Sequence, residues 1–140
     1  MGASIAYHLA ARGCRDVLIL ERAESPATGS TGRSAGGVRH QFNTEVNIRL
    51  SQYGIERLRH FGEEIGGYAQ LRQVGYLFLI TDEDTWTRYQ QQVQLQRRLG
   101  VPTEVLTPAD AERLVPGTVV DDLLGATYCP LDGYCDPYGI

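Results

Sequence analysis

At 140 residues and 42% apolar content, the chain is long enough for one domain with its core, or one domain plus part of another. A formal charge of -4 gives no footprint for nucleic acid or an anionic membrane, and no apolar run nears the roughly 18 residues that span a bilayer. All 13 basic residues are Arg, which excludes a Lys nucleophile or Schiff base within this stretch.

Cys14, Cys129 and Cys135 are odd in number and form no CxxC, and His8, His40 and His60 are scattered. Neither a disulfide framework nor a metal site is expected. The default setting is reducing and cytoplasmic. The N-terminus lacks the basic region and apolar stretch of a secretory signal.

Residues 3–12, ASIAYHLAAR, suit a helix, with Gly13 as its stop. Asp16 to Glu21, DVLILE, is apolar at every inner position, which predicts a parallel strand buried on both faces. A dinucleotide-binding unit needs a strand and a glycine-rich turn before such a helix. Here the helix starts almost at Met1, and Gly2 stands where the third glycine of Gly-x-Gly-x-x-Gly would fall. Glu21 follows at nearly the spacing of a ribose-binding acid, about 20 residues. The expectation is a sequence that begins inside the fingerprint.

Residues 22–43 carry Pro26, Gly29, Gly32, Gly36 and Gly37 and read as an ordered binding loop. Thr44 to Ile65 is predicted as one long amphipathic helix with Val46, Leu50, Tyr53, Leu58, Phe61 and Ile65 on its apolar face. Gly66-Gly67 ends it. Val74 to Thr81 reads as a strand. A helix capped by Thr81 or Asp82 runs to about Leu99, before Gly100 and Pro102. A short strand is expected at Glu104–Leu106. Thr107-Pro108-Ala109-Asp110 reads as N-cap, Pro at N1 and an acidic first turn. Gly125–Tyr128 reads as strand, Asp132-Gly133 as a tight turn, and Asp136-Pro137 as the opening of another helix.

The order helix, DVLILER, GSTGRSAGGVRHQF, long helix, GYLFLI, TPADAERLVPG, DGYCDP resembles the FAD-dependent amino-acid and amine oxidoreductases. These include sarcosine oxidase, dimethylglycine dehydrogenase, glycine oxidase and D-amino-acid oxidase. GSTGRSAGG-x-R is most similar to the sarcosine oxidase β-subunit and proline dehydrogenase branch. The resemblance covers the whole chain in order, but only the N-terminal part of the family's longer chain.

It implies an α/β architecture: a doubly wound, Rossmann-like FAD domain with a β-rich α+β substrate domain, truncated at both ends. Residues 1–68 would open the FAD domain, 69–134 would begin the substrate domain, and 135–140 would return to the first. Oxidation would proceed by hydride transfer from the carbon beside nitrogen to flavin N5, followed by imine hydrolysis.

The residues fit these roles to different degrees. Amides at Gly2 would meet the pyrophosphate through the helix N-terminus. Glu21 would accept hydrogen bonds from ribose hydroxyls. Arg22 lies beside the adenine or in solvent. Ser30 and Thr31 stand where the family's loop reaches the flavin phosphates or ribityl chain, or serve turn chemistry. Arg33 pairs with phosphate or with a protein acid. Gly36 and Gly37 would let backbone approach the flavin ring. Arg39 matches the Arg that helps hold the substrate carboxylate; its alternative is a salt bridge. Some relatives carry a second Arg where this chain has Gly36. His40 would help deprotonate the amine or is a hydrogen-bonded structural residue. Tyr76 and Phe78 read as sheet packing, and no motif supports flavin attachment at Cys129 or Cys135.

The expected partners are a small amine or amino-acid substrate and, by the β-subunit likeness, another subunit of a hetero-oligomer. Two rivals stay open: an NAD-binding dehydrogenase fragment, and a non-catalytic FAD-binding assembly subunit. The 140 residues by themselves are expected to be inactive.

Overall fold

The computed structural model describes all residues, 1–140. It divides into two compact units, Met1–Arg33 and Ser34–Ile140.

In the first unit, α1 spans Gly2–Ala11. It ends in a Schellman turn, with the amides of Gly13 and Cys14 bonded to the carbonyls of Ala10 and Leu9 at 2.9 and 3.0 Å. The next residues run extended, but the buried strand expected at Asp16–Glu21 does not form. Leu18, Ile19 and Leu20 are exposed by 80%, 59% and 83%. A parallel strand needs hydrogen-bonded neighbours, and no strand of this chain pairs with the segment. Residues 26–33 are turns.

The second unit holds the remaining elements. Gly37–Val38 form a short strand, β1, inside the stretch expected to be loop. The predicted long helix is two: α2, Glu45–Arg59, and α3, Phe61–Ile65, parted at His60. Thr44 caps α2 by accepting the Asn47 amide. Then come β2 (Tyr76–Ile80), α4 (Glu83–Arg98), β3 (Glu104–Leu106), α5 (Pro108–Leu114), β4 (Gly125–Cys129) and β5 (Gly133–Tyr134). Asp82 caps α4 through the Thr85 amide at 2.8 Å. Thr107 and Asp110 form a reciprocal capping box on α5. Gly100, at φ +84°, takes the left-handed position that closes α4. The last residues make a turn at Asp136 rather than a helix, with the Tyr138 amide on the Asp136 side chain.

β2, β4 and β3 form an antiparallel sheet with β4 in the middle. Cross-strand partners share a face, so the register sorts the side chains. Tyr76, Phe78, Thr127 and Cys129 line one face; Leu77, Ala126 and Leu106 line the other. The second face packs under Ala111 of α5 and Leu123 of the segment that follows it. On the first, Cys129 joins Ile48 of α2 and Val101 after α4, with Phe42, Leu95, Leu99 and Leu131 around them.

This core corrects the expected apolar face of α2. Val46, Leu50 and Tyr53 are exposed by 62%, 63% and 57%, whereas Ile48 and Ile55 are buried at 0% and 4%. Both stripes have helical spacing. Contact with Val101 and Cys129, which are distant in sequence, decides which stripe turns inward.

β1 pairs antiparallel with β5, Gly37 opposite Tyr134 and Val38 opposite Gly133. This ladder brings the glycine-rich stretch against the DGYCDP segment. The expected Asp132-Gly133 turn lies earlier, across Pro130-Leu131, where the Asp132 amide bonds to the Cys129 carbonyl at 3.2 Å. Asp132 itself is fully buried.

Candidate active site

Arg39 to Phe42 belong to no helix or strand, so their backbone groups need partners elsewhere. Side chains supply most of them. Ser51 of α2 donates its hydroxyl to the Arg39 carbonyl. The His40 amide donates to Asp132 Oδ1 at 2.7 Å. Gln96 of α4 donates to the Phe42 carbonyl at 2.9 Å. The Phe42 amide closes a local turn onto the His40 carbonyl at 2.8 Å.

The Gln41 side chain ties this segment to the sheet. Its amide nitrogen donates to the Tyr76 carbonyl at 2.9 Å and to Asp132 Oδ2 at 3.1 Å. Its oxygen accepts the Thr127 hydroxyl at 2.8 Å. His40, Gln41, Thr127 and Asp132 are all buried.

Against this fixed backbone stands Arg39, half-buried. Its guanidinium carbon lies 5.0 Å from the centroid of Phe42 and 5.3 Å from that of Phe78. Each such contact is worth about 0.5–1 kcal/mol at a partly exposed site. No acidic side chain pairs with it. Phe78 in turn meets Tyr76 and Tyr89 at ring distances of 5.1 and 5.6 Å. Phe78 therefore does more than pack the sheet: its ring carries the guanidinium.

His40 Nδ1 sits 2.7 Å from Asp132 Oδ1, the oxygen that also takes the His40 amide. Oδ1 already acts as an acceptor for the His40 amide, which assigns the Nδ1 proton to the same oxygen and the lone pair to Nε2 in the neutral ring. The Cys129 sulfur completes a buried trio with His40 and Asp132, their ligand-type atoms within 4.8 Å of one another. Burial, and next the charge of Asp132, push the Cys129 thiol up to about 12. Two of the trio's three ligand-type atoms are already bonded to each other, His40 Nδ1 and Asp132 Oδ1 at 2.7 Å.

Gly36, φ +67°, lies against the Cys135 carbonyl where any Cβ would collide, and its own carbonyl accepts the Cys135 amide at 2.8 Å. The fold therefore requires this glycine on its own account. A Cβ on Gly37 would meet only the Tyr76 ring, at an ordinary 3.5 Å.

The other sequence-expected residues lie in the first unit. Gly2 opens α1, which has no side-chain cap and no acid in its first turn, so its leading amides are available to an anion. Gly2 also lines a shallow, mainly apolar groove of about 300 Å³ with Ile5, Ala6, Leu9 and Val17–Leu20. Glu21 is exposed; one carboxylate oxygen accepts the Ala23 amide at 2.8 Å and the other is free. Arg22, Ser30, Thr31 and Arg33 are exposed, and neither Arg has an acidic partner. An open helix N-terminus beside an apolar groove, with an acid at the end of the extended segment, fits the nucleotide half of FAD.

A family model for FAD-dependent oxidoreductases matches residues 1–140. The chain belongs to that family. Its cofactor is FAD, and the α/β class with kinship to FAD-binding folds stands. The chain is 32% identical over 140 residues to mitochondrial sarcosine dehydrogenase of Mus musculus, covering 99% of this chain and 15% of the relative. It is 31% identical over 141 residues to mitochondrial dimethylglycine dehydrogenase of Rattus norvegicus, covering 100% and 16%. Among solved structures, L-proline dehydrogenase from P. horikoshii matches with a TM-score of 0.82 at 34% identity, over 97% of this chain and 35% of that one. The chain thus spans about a sixth of the curated relatives and a third of the solved one. No helix is long and apolar enough to cross a membrane.

Two residues of the site escaped sequence reasoning in their roles. Asp132 looked like a turn former, and Gln41 drew no attention. The usable signal was a polar pair, His40-Gln41, flanked by the apolar Val38 and Phe42 just before an amphipathic helix.

Proposed function

We propose that the protein uses FAD to oxidise the C–N bond of an amino acid or secondary amine of the sarcosine, glycine or proline kind, with Arg39 holding the substrate carboxylate. One observation carries this reading: Arg39 is a half-buried cation, gripped between two aromatic rings, with no protein acid to neutralise it. A planar guanidinium held that way suits a bidentate carboxylate. The names of the sarcosine, dimethylglycine and proline dehydrogenase relatives point to the same substrate class.

FAD, when bound, supplies the two-electron acceptor that takes the hydride. The rest falls to the chain. Arg39 fixes the carboxylate end and so limits how the neighbouring C–H bond can turn. Hydride loss requires a neutral amine, because the nitrogen lone pair drives it. His40 Nε2, with no protein partner of its own, is the acceptor we assign to that proton. Phe42 and Phe78 shield the guanidinium from water, which strengthens its hold on the anion.

For the cofactor we assign the amides at Gly2 to the pyrophosphate and Glu21 to the ribose. Arg22 goes to the adenine end, and Ser30, Thr31 and Arg33 to phosphate or ribityl oxygens. Gly36 and Gly37 lie along the ring. Residues 1–68 and 135–140 then belong to the FAD-binding domain and 69–134 to the substrate domain. Three unpaired cysteines favour a reducing, cytoplasm-like setting, although the two curated relatives are named mitochondrial.

The test is anaerobic flavin bleaching in the complete, FAD-loaded protein, offered a panel of amino acids and their decarboxylated counterparts. Bleaching by one or more amino acids, and not by the matching amines, supports the reading. Bleaching by nicotinamide nucleotides alone would defeat it.

A further inference from the structure

We propose that Asp132 is the positioning residue for Arg39, acting through the two residues that follow it; the inference rests on Arg39 as the carboxylate handle. The rings of Phe42 and Phe78 hold the faces of the Arg39 guanidinium, but its N–H edge must stay open for the substrate. The rest of its placement has to come from the backbone. The one hydrogen bond at Arg39 is the Ser51 hydroxyl on its carbonyl. Further ties are made at His40 and Gln41, and three of them converge on one carboxylate.

Asp132 Oδ1 takes the amide and ring N–H of His40, both at 2.7 Å, and Oδ2 takes the Gln41 side chain at 3.1 Å. Asp132 is wholly buried, so water cannot replace it. Its own placement is over-determined. Its amide closes the turn from Cys129 at 3.2 Å, its carbonyl accepts the Gly75 amide at 2.8 Å, and Gly133 enters the ladder with β1. The carboxylate is a fixed post on the sheet, and residues 39–41 are hung from it.

The chemistry makes the post specific. Three donors converge on two oxygens, an arrangement that only an acceptor-only group satisfies. Asn in its place keeps the shape but presents an NH2 to Gln41. Gln41 cannot rotate its amide to suit, because its oxygen would then face the Tyr76 carbonyl. Asp132→Asn should therefore loosen Gln41 and shift Arg39 without opening a cavity. Misplacement by an ångström suffices to cost a bidentate contact.

The experiment is calorimetric binding of propionate, a carboxylate without an amine, to the complete FAD-loaded protein, alongside calorimetric binding of a carboxylate-free amine. The expected result is at least a 10-fold loss of propionate affinity in Asp132→Asn, with the carboxylate-free amine changed less than 2-fold. In an Arg39→Gln background, Asp132→Asn should cost nothing further. Equal losses for both ligands would mark Asp132 as merely structural and overturn the proposal. So would unchanged propionate binding in Asp132→Asn when Arg39→Gln has abolished it; the handle would stand and the post would fall. If Arg39→Gln itself leaves propionate binding intact, the handle falls and takes the post with it. Should Asp132→Asn not fold, Thr127→Val removes only the Gln41 oxygen's partner and is expected to weaken propionate selectively, about 3-fold; no selective loss would overturn the proposal.

Discussion

One oxygen of Asp132 accepts both the backbone and the ring N–H of His40, each at 2.7 Å, across 92 residues of sequence. This contact joins the glycine-rich stretch to the turn before β5, and it is the most heavily loaded polar contact of the buried interior. Truncating it should be costly, because Asp132→Ala strands three buried donors. We expect a loss of about 3 kcal/mol or more in urea denaturation, against about 1 kcal/mol for an ordinary hydrogen bond. A loss under about 1 kcal/mol would show that the network is dispensable.

The two stripes of α2 give a sharper contrast. Ile48→Ala removes a fully buried side chain from the cluster with Val101 and Cys129 and should cost about 2–5 kcal/mol. Val46→Ala, two residues away and 62% exposed, should stay within about 0.5 kcal/mol. Equal costs in chemical denaturation would contradict the packing described for α2.

The cysteines make an accessible probe. Cys14 is exposed, whereas Cys129 and Cys135 are buried at 0% and 4%. Burial raises both buried thiols, that of Cys129 to about 12, and a protonated thiol is a poor nucleophile. An aromatic disulfide reagent should titrate one thiol quickly in the native protein and all three only in denaturant. Fast native reaction of two or more would refute the burial of Cys129 or Cys135.

His60, where α2 gives way to α3, is hydrogen-bonded to Glu63 and Glu56 at 3.1 Å each. The Glu63 bond first, then the Glu56 bond, raise its pKa above 6.5. A raised pKa in the folded state means stabilisation that is complete below 6.5 and fades as pH rises through the folded value. Wild type should therefore lead His60→Gln most at acidic pH, with the gap closing on the alkaline side. Melting curves across that range check this, and a gap that widens with pH would contradict it.

What could be read in the sequence divides along physical lines. β3 at Glu104–Leu106, the Thr107–Asp110 capping box and the Gly100 stop rest on a few adjacent residues, and each forms as the local chemistry dictates. The choice of stripe on α2 could not be read locally, because Ile48 is selected by Val101 and Cys129. The strand expected at Asp16–Glu21 failed for a related reason: apolarity shows that a segment can be buried between strands, but pairing requires the strands. At the site, Arg39 stood out by family resemblance, while Asp132 was hidden because Asp-Gly has a sufficient local explanation as a turn. Its true partners lie 91 and 92 residues away.

In the proposed reaction the Arg39 cation, unpaired within the protein, is neutralised by the substrate carboxylate. The most direct measurement is kcat/KM for an amino acid and for its decarboxylated amine, in wild type and Arg39→Gln of the complete FAD-loaded protein. Arg39→Gln should lower kcat/KM for the amino acid about 100-fold, about 2.7 kcal/mol, and leave the amine nearly unchanged. An amino acid and amine that fall together, or an amino acid that does not fall at all, would contradict it.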